Sequence, residues 1–365
     1  MRLMKRVFNK YVAAVVLLVL VLATGVKISS AVAEAPGRDW NAKSLRRIDR
    51  SQTSFSFAVF GDNQNSVSVF GDLINKVNAD NTSFAIDNGD LVASGDIVKF
   101  SFFINQARHL RKPLLTNIGN HELYMNGRGL YYDIMGPFYY SFTVGQAYFI
   151  VVDDANTVGL DPWQKAWLTS QLQKSQAFKY RFVFMHVPLY DTRTSGFGLK
   201  HGLTSRRNAG ELNAMFDEYH VTMLFASHIH EYDHGVWGKT PYIITGGAGG
   251  ELAGTNPQHY FFHYIRVSVS PSGARYQVVK LKTPGYNVVD RLVYDTWLYL
   301  YAFLAIHYLD MVIVVTLLYL LVFALYTLDE KGMLARVRRP VRKDSGTPGE
   351  GAGNGNNDGE GIDVH

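Results

Sequence analysis

The chain has 365 residues, 47% of them hydrophobic, no cysteine and a formal net charge of +5. That is enough for one large domain or two smaller ones with a sizeable core, and it excludes disulfides, iron–sulfur clusters and thiolate zinc sites. The positive charge gathers at the two ends (Arg2, Lys5, Arg6 and Lys10; then Lys331, Arg336, Arg338, Arg339, Arg342 and Lys343), so the middle is close to neutral and nucleic-acid binding has little electrostatic support.

In chain order, the first element is Val12 to Val26, almost wholly apolar and preceded by basic residues. It is short for a spanning helix, which needs about 20 residues. Ala31-Val32-Ala33 beyond it is a small-x-small cleavage signal. Residues 1–33 therefore read as a signal peptide or an uncleaved signal-anchor helix, and either would translocate the domain after it. Residues 34–52 read as a linker.

Residues 53–285 alternate strand-like and helix-like runs. Strands are expected at Ser54–Phe60, Ser83–Ile86, Leu114–Ile118, Ala147–Val152, Arg181–Met185, Thr222–Ala226, Tyr242–Thr245, Tyr264–Val269 and Tyr276–Leu281. Helices are expected at Val67–Val77, Ile97–Leu110, Pro162–Ser175 and Glu211–Tyr219. Early strands are followed by helices, which argues for an α/β layered fold; the later ones follow each other closely, which argues for an antiparallel part.

Short polar clusters sit where these strands run out: Gly61-Asp62-Asn63-Gln64, Asn88-Gly89-Asp90, Gly119-Asn120-His121-Glu122, a lone His186, and Ser227-His228-Ile229-His230. In open α/β sheets ligands bind at that end of the strands. All the donors are oxygen or imidazole, the types that a two-metal hydrolytic site needs. Singly, Asp62 or Asp90 would be a turn residue or helix cap, and His186 a satisfied core histidine; it is the ordered set that carries the signal.

After the domain, residues 286–310 form an aromatic juxtamembrane segment containing Trp297, Tyr299, Tyr301, Phe303 and Tyr308, and residues 311–328 an apolar run without charge. One helix over both would be about 48 Å long from Trp297, more than the ~30 Å hydrocarbon slab, so part should project from the bilayer. Asp310 belongs near the outer interface, since a carboxylate at mid-membrane costs several kcal/mol. The basic residues at both ends place both termini in the cytoplasm and the domain outside. Residues 329–365 are basic and then Gly-rich, and are expected to be a disordered cytoplasmic tail.

The clusters resemble those of the calcineurin-like metallophosphoesterase superfamily, whose pattern is Asp-x-His, Gly-Asp, Gly-Asn-His, a single His and Gly-His-x-His. Asn117-Ile118-Gly119-Asn120-His121-Glu122 and Thr245-Gly246-Gly247-Ala248-Gly249 are similar to the purple-acid-phosphatase-like branch. The resemblance covers residues 54–270. It implies a four-layer αββα sandwich of two mixed sheets with helices outside, and two divalent metals (Mn, Fe or Zn) at one edge. Asp90 would bridge them, Asp62 and His230 hold the first, and Asn120, His186 and His228 the second. His121 would be a general acid or charge stabiliser beside the substrate phosphate. Two residues depart from the pattern. Gln64 stands where the family has His: either a weaker ligand that loosens the first site or favours a harder ion, or a residue that only hydrogen-bonds a water on the metal. Ser227 stands where it has Gly.

The expected function is that of a membrane-anchored, extracytoplasmic phosphoesterase acting on a phosphomonoester or phosphodiester. The tether directs attention to lipid-linked or envelope phosphates. One alternative is a soluble-metabolite phosphatase that is merely tethered; the other is a catalytically silent, metal-stabilised scaffold that binds partners, and Gln64 is the residue favouring the second. Asp153 and Asp154 read as a turn pair; Tyr124, His201, Arg206 and Arg207 read as solvated surface residues that could face the substrate. His109, His220, His234, His259 and His263 match no motif. Oligomeric state is not legible.

Overall fold

The computed structural model describes residues 9–32, 38–193 and 201–331. The Gly-rich tail, the basic residues after Lys331, and Arg2, Lys5 and Arg6 lie outside the described residues. The chain divides into two compact units, residues 27–310 and the two ends.

Helix α1 (Lys10–Val32) opens the chain and α2 (Trp40–Arg47) comes second. Strand β1 (Phe55–Phe60), α3 (Ser68–Ala79), β2 (Phe84–Asp87), α4 (Ile97–Ala107) and β3 (Leu114–Thr116) come next. A 3₁₀ turn (His121–Asn126), α5 (Gly127–Met135), β4 (Tyr140–Val144), β5 (Ala147–Val151), α6 (Pro162–Ser175) and β6 (Tyr180–Phe184) continue the chain. The remainder is α7 (Arg206–Glu218), β7 (Met223–Ala226), β8 (Tyr232–Trp237), β9 (Thr240–Thr245), β10 (His263–Ser270), β11 (Gly273–Lys280) and α8 (Val288–Glu330).

The strands form two mixed sheets, ordered β11-β10-β1-β2-β3 and β4-β5-β6-β7-β9-β8. In the first, β1, β2 and β3 are parallel and β10 runs antiparallel to β1. In the second, β5, β6, β7 and β9 are parallel, and β4 and β8 are antiparallel edges.

Period-two alternation explains how the layers stack. Phe55, Phe57 and Val59 of β1 face an apolar seam between the sheets, while Ala58 and Phe60 face the cluster shared with α3, α4 and α5. On β6, Phe182 and Phe184 enter the same seam, while Val183 faces the cluster formed with α6 and α7. Both faces of these strands are covered, so they read as continuous apolar runs rather than alternating ones. The result is helices, sheet, sheet, helices, the expected four-layer αββα sandwich. The seam is aromatic: Phe57 stacks on Phe84 at 5.3 Å, and Phe184 on Phe225 at 5.1 Å.

Helix starts are fixed by side-chain caps. Asp96 accepts from the Lys99 N–H at 3.0 Å, and Asp161 accepts from the Gln164 N–H at 2.8 Å with Pro162 next to it. Ser205 caps α7 in the same way, so this helix starts at Arg206, a turn before the expected Glu211.

Some elements differ from the sequence reading. Residues 40–47, expected as linker, form a helix docked on sheet 1. The Trp40 indole donates to the Leu114 carbonyl at 2.9 Å, and Asn41 accepts from the Thr116 N–H at 2.8 Å. Its polar sequence hides that docking, because these hydrogen bonds are joined by only a few apolar contacts, from Trp40, Leu45 and Ile48. Strands β4 and β8 are additional to the expected set; each is the edge arm of a hairpin closed at Gly145 (φ 51°) or Gly238 (φ 62°).

Two helices, α1 over Lys10–Ser29 and α8, are long and apolar enough to cross a membrane. His307 interrupts the helical dihedrals of α8. Lys27 of α1 and Asp310 of α8 form an ion pair.

Candidate metal centre

The carboxyl ends of β1, β2, β3, β6 and β7 bring the five polar clusters together. Two sets of donor atoms result, each within 4.8 Å of one another: Asp62, Asp90 and His230, and Asp90, His186 and His228. Asp90 belongs to both. Its Oδ1 is 3.3 Å from His186 Nε2, and its Oδ2 is 3.8 Å from His121 Nε2. Asn120 joins the second set, with Oδ1 3.1 Å from His186 Nε2. Gln64 stands beside the first set; its amide nitrogen donates to Asp90 Oδ2 at 3.3 Å and is 3.2 Å from His230 Nε2. A half-turn of that amide would place its oxygen there instead.

The backbone is bent to achieve this. Asp62, Gln64, Asn65, Asp90, His228 and His230 all have left-handed φ between 44° and 69°. Non-glycine residues there cost about 1 kcal/mol or more each, and such strain gathers at functional sites. Neighbouring loops over-determine it: the Asp62 N–H donates to Gly89 O, Gln64 N–H to Asp90 O, and Gly250 N–H to Asp62 O at 2.6 Å. Gly119 is required by close approach, since a Cβ there would collide with Asp90 N. Ser227 fits where a glycine was expected because residue 61 has no side chain: a Cβ on Gly61 would collide with the Ser227 hydroxyl. That hydroxyl donates to Thr245 O at 3.2 Å.

Behind these residues stands a set that sequence reading gave no role. Glu122, fully buried, accepts N–H groups of Asp90 (3.0 Å), Val92 (3.0 Å) and Gly119 (2.6 Å), binding the second and third loops into one body. Asp154 accepts the N–H groups of His186 (2.8 Å) and Val187 (2.9 Å). It is thus more than half of a turn pair; its companion Asp153 pairs with Arg128. His186 Nδ1 lies 3.0 Å from Asn88 O, and His230 Nδ1 is 2.5 Å from Glu251 O. These bonds fix which ring nitrogen faces the site. Their signal in the sequence was adjacency to a motif, without a residue type that names the role.

The electrostatics suit cations. Burial pushes Asp62 up to about 6, against the pull of His230 and His186. Burial also opposes ionisation of Asp90, but His186, His121 and His228 outweigh it and hold that carboxyl well below the usual range. Burial would lower His186, yet Asp90 wins and raises it to about 10. Burial and then Asp90 push Glu122 up to about 8. Asp62 Oδ1 is buried and has no hydrogen-bond partner, and it faces His230 Nε2 at 3.7 Å. An orphaned carboxylate oxygen beside imidazole nitrogens is what a divalent cation would satisfy, so the residues present fit a metal pair.

His121 sits on the open side. Its Nδ1 is 2.8 Å from Ala93 O, which leaves Nε2 toward the site, and Tyr124 packs edge-on against its ring at 5.5 Å. The His201 ring is 5.3 Å from that of His228, so it does border the site. Arg207 pairs with Glu211 on the surface of α7, and Arg206 lines a cavity of about 270 Å³ with Asp191 and Thr204. Of the unmatched histidines, His263 is fully buried; His109 bonds the Asn105 carbonyl of α4, and His259 the Tyr232 carbonyl.

The family model described as calcineurin-like phosphoesterase matches residues 55–232. Among solved structures, a purple acid phosphatase from yellow lupin (Lupinus luteus) seeds is 15% identical with a TM-score of 0.50, over 63% of this chain and 53% of that one. The chain thus spans about half the length of the lupin enzyme. A dimetal phosphatase from Danio rerio is 12% identical with a TM-score of 0.51, over 64% of this chain and 99% of that one. At these identities the likeness is one of fold.

Proposed function

We propose that this chain, a member of the calcineurin-like phosphoesterase family through residues 55–232, hydrolyses a phosphate mono- or diester at a two-metal centre outside the cytoplasm. The observation that carries the reading is Asp90, one carboxylate common to two clusters of imidazole and carboxylate donors.

Asp62, Gln64 and His230 would hold one ion, Asn120, His186 and His228 the other, with Asp90 between them. Mn, Fe and Zn all suit such donors. A bound pair supplies an ionised water as nucleophile and neutralises phosphoryl charge. The chain's own residues do the rest. His186 and His228 are neutral donors once their protons are displaced, which leaves positive charge for the phosphate to meet. His121 Nε2, on the open side, donates a proton to the leaving alkoxide, a role worth ~10²–10⁴-fold. Glu122 and Asp154 keep the loops from moving as charge develops.

The anchor reading rests on α1 and α8, on the basic residues at both ends, and on the Lys27–Asp310 pair, which neutralises the carboxylate at the start of the apolar run. It puts both termini in the cytoplasm. Location alone favours a substrate carried by a lipid or by the envelope. Protease protection of a tag placed after residue 331 in intact cells tests the topology; a tag cleaved from outside overturns it.

A second reading, a silent metal-stabilised scaffold, is favoured by Gln64, whose amide stands between Asp90 and His230. One assay separates the two. Purified full chain is offered p-nitrophenyl phosphate and bis-p-nitrophenyl phosphate with and without Mn²⁺. Metal-dependent turnover of either establishes the esterase; bound metal without turnover establishes the scaffold.

A further inference from the structure

His230 presents Nε2 to the first donor set because its Nδ1 is held by the Glu251 carbonyl at 2.5 Å. Glu251 is an exposed residue of an irregular loop after β9, between Gly250, whose N–H donates to Asp62 O at 2.6 Å, and the buried Leu252, so its backbone is pinned on both sides while its side chain is not. The Glu251 side chain is held from α8. The Tyr299 hydroxyl donates to Glu251 Oε2 at 2.8 Å. Two contacts one to two turns before it seat the helix on the same edge of the domain. The Arg291 guanidinium donates to the Tyr260 carbonyl at 2.9 Å, and the Tyr294 ring packs against Phe262 at 5.8 Å. Arg291 and Tyr299 are about 12 Å apart along the axis. The helix is thus held at one point and holds the loop at another.

We propose that Tyr299 and Glu251 are positioning residues for the metal centre: the juxtamembrane part of α8 sets His230, and with it the affinity of the first donor set for its ion. The proposal rests on reading Asp62, Asp90 and His230 as half of a metal centre. Hydrogen-bond partners behind a ligating imidazole are worth ~10–100-fold in metal affinity. The second donor set has no such dependence, because the His186 ring is held by Asn88 within the domain. The helix long and apolar enough to span a membrane is therefore also part of the site's support, and a tilt or strain on the anchor reaches the first ion before the second.

The test is Mn²⁺ titration of the full chain in detergent micelles, followed by electron paramagnetic resonance, for wild type, Tyr299→Phe, Glu251→Ala, Glu251→Gln and Tyr301→Phe. Wild type should bind two ions with a coupled signal. Tyr299→Phe and Glu251→Ala should weaken one ion by ~10-fold or more and convert the signal to that of an isolated ion, with unchanged melting. Glu251→Gln keeps an acceptor oxygen for the tyrosine and should restore the pair. Tyr301→Phe, on the same helix without that bond, should match wild type. If Tyr299→Phe binds both ions as wild type does, or loses both equally, the proposal is overturned while the metal-centre reading stands. If wild type binds none, the reading fails and this inference with it.

Discussion

The two donor sets share Asp90 but are built differently. The second, around His186, belongs to the interior: His186 is fully buried, its ring bonded to Asn88 O and its N–H to Asp154, with Asn120 alongside. The first, around His230 and Gln64, is carried by loops, half-buried, and restrained by carbonyls of other loops. A ligand set rooted in the core keeps its geometry whether or not an ion is bound. One carried on loops is adjustable, and the adjustable set is the one with the departure at residue 64.

The largest break should come where the two sets meet. Asp90→Ala removes a donor from both; both ions should be lost and p-nitrophenyl phosphate turnover should fall at least ~10³-fold, measured by metal analysis beside initial rates. His121→Ala should lower turnover by ~10²–10⁴-fold while metal content stays at the wild-type level; metal loss equal to that of Asp90→Ala would remove His121 from its catalytic role. The sets should separate under single deletions. His186→Ala empties a buried site and leaves the Asn88 carbonyl without its imidazole partner, so it should lower stability by about 2–4 kcal/mol in denaturant unfolding. His230→Ala should weaken metal with a melting change within about 0.5 kcal/mol. Equal melting losses would end the distinction.

A gain tests the same contrast. Gln64→His should tighten the first ion by roughly tenfold, since imidazole is the better donor; no change would mean that residue 64 does not reach the metal. The last test concerns acid and leaves the metal aside. His263 backs the loop of the first set: its N–H donates to Gly247 O at 2.9 Å. Burial lowers this histidine to about 4, below its unfolded value of ~6.5. Between those values the unfolded chain binds more protons, so stability rises with pH and is lost on acidification from 6.5 toward 4. Wild type should lose on the order of 2–3 kcal/mol more than His263→Asn between pH 7 and pH 4. Parallel curves would show that His263 plays no part.

Legibility in the sequence tracked the kind of work a residue does. The central strands were readable because burial on both faces makes them unbroken apolar runs, as in Phe182–Phe184. The candidate ligands were readable because each is one donor side chain at a strand end, as with Asp62 and His186. Helix α2 was not, since Trp40 and Asn41 dock through backbone carbonyls of β3. Strand β8 was not, although Trp237-Gly238-Lys239 is a hairpin signal of the usual kind. Glu122, Asp154 and Glu251 were not, because they act through main-chain groups of other loops and any acceptor-bearing sequence looks the same.

The aromatic seam has a consequence for chemistry some distance from it. Asp62, Asp90 and Asn120 ride on one sheet, and His186, His228 and His230 on the other. The gap between the sheets is set by the girth of rings such as Phe57 and Phe184, packed edge-to-face at 6.4 Å. Phenylalanine in that layer therefore works as a spacer gauge. Thinning it by one ring would let the sheets settle closer and would change the distance between the two donor sets, without touching a single candidate ligand.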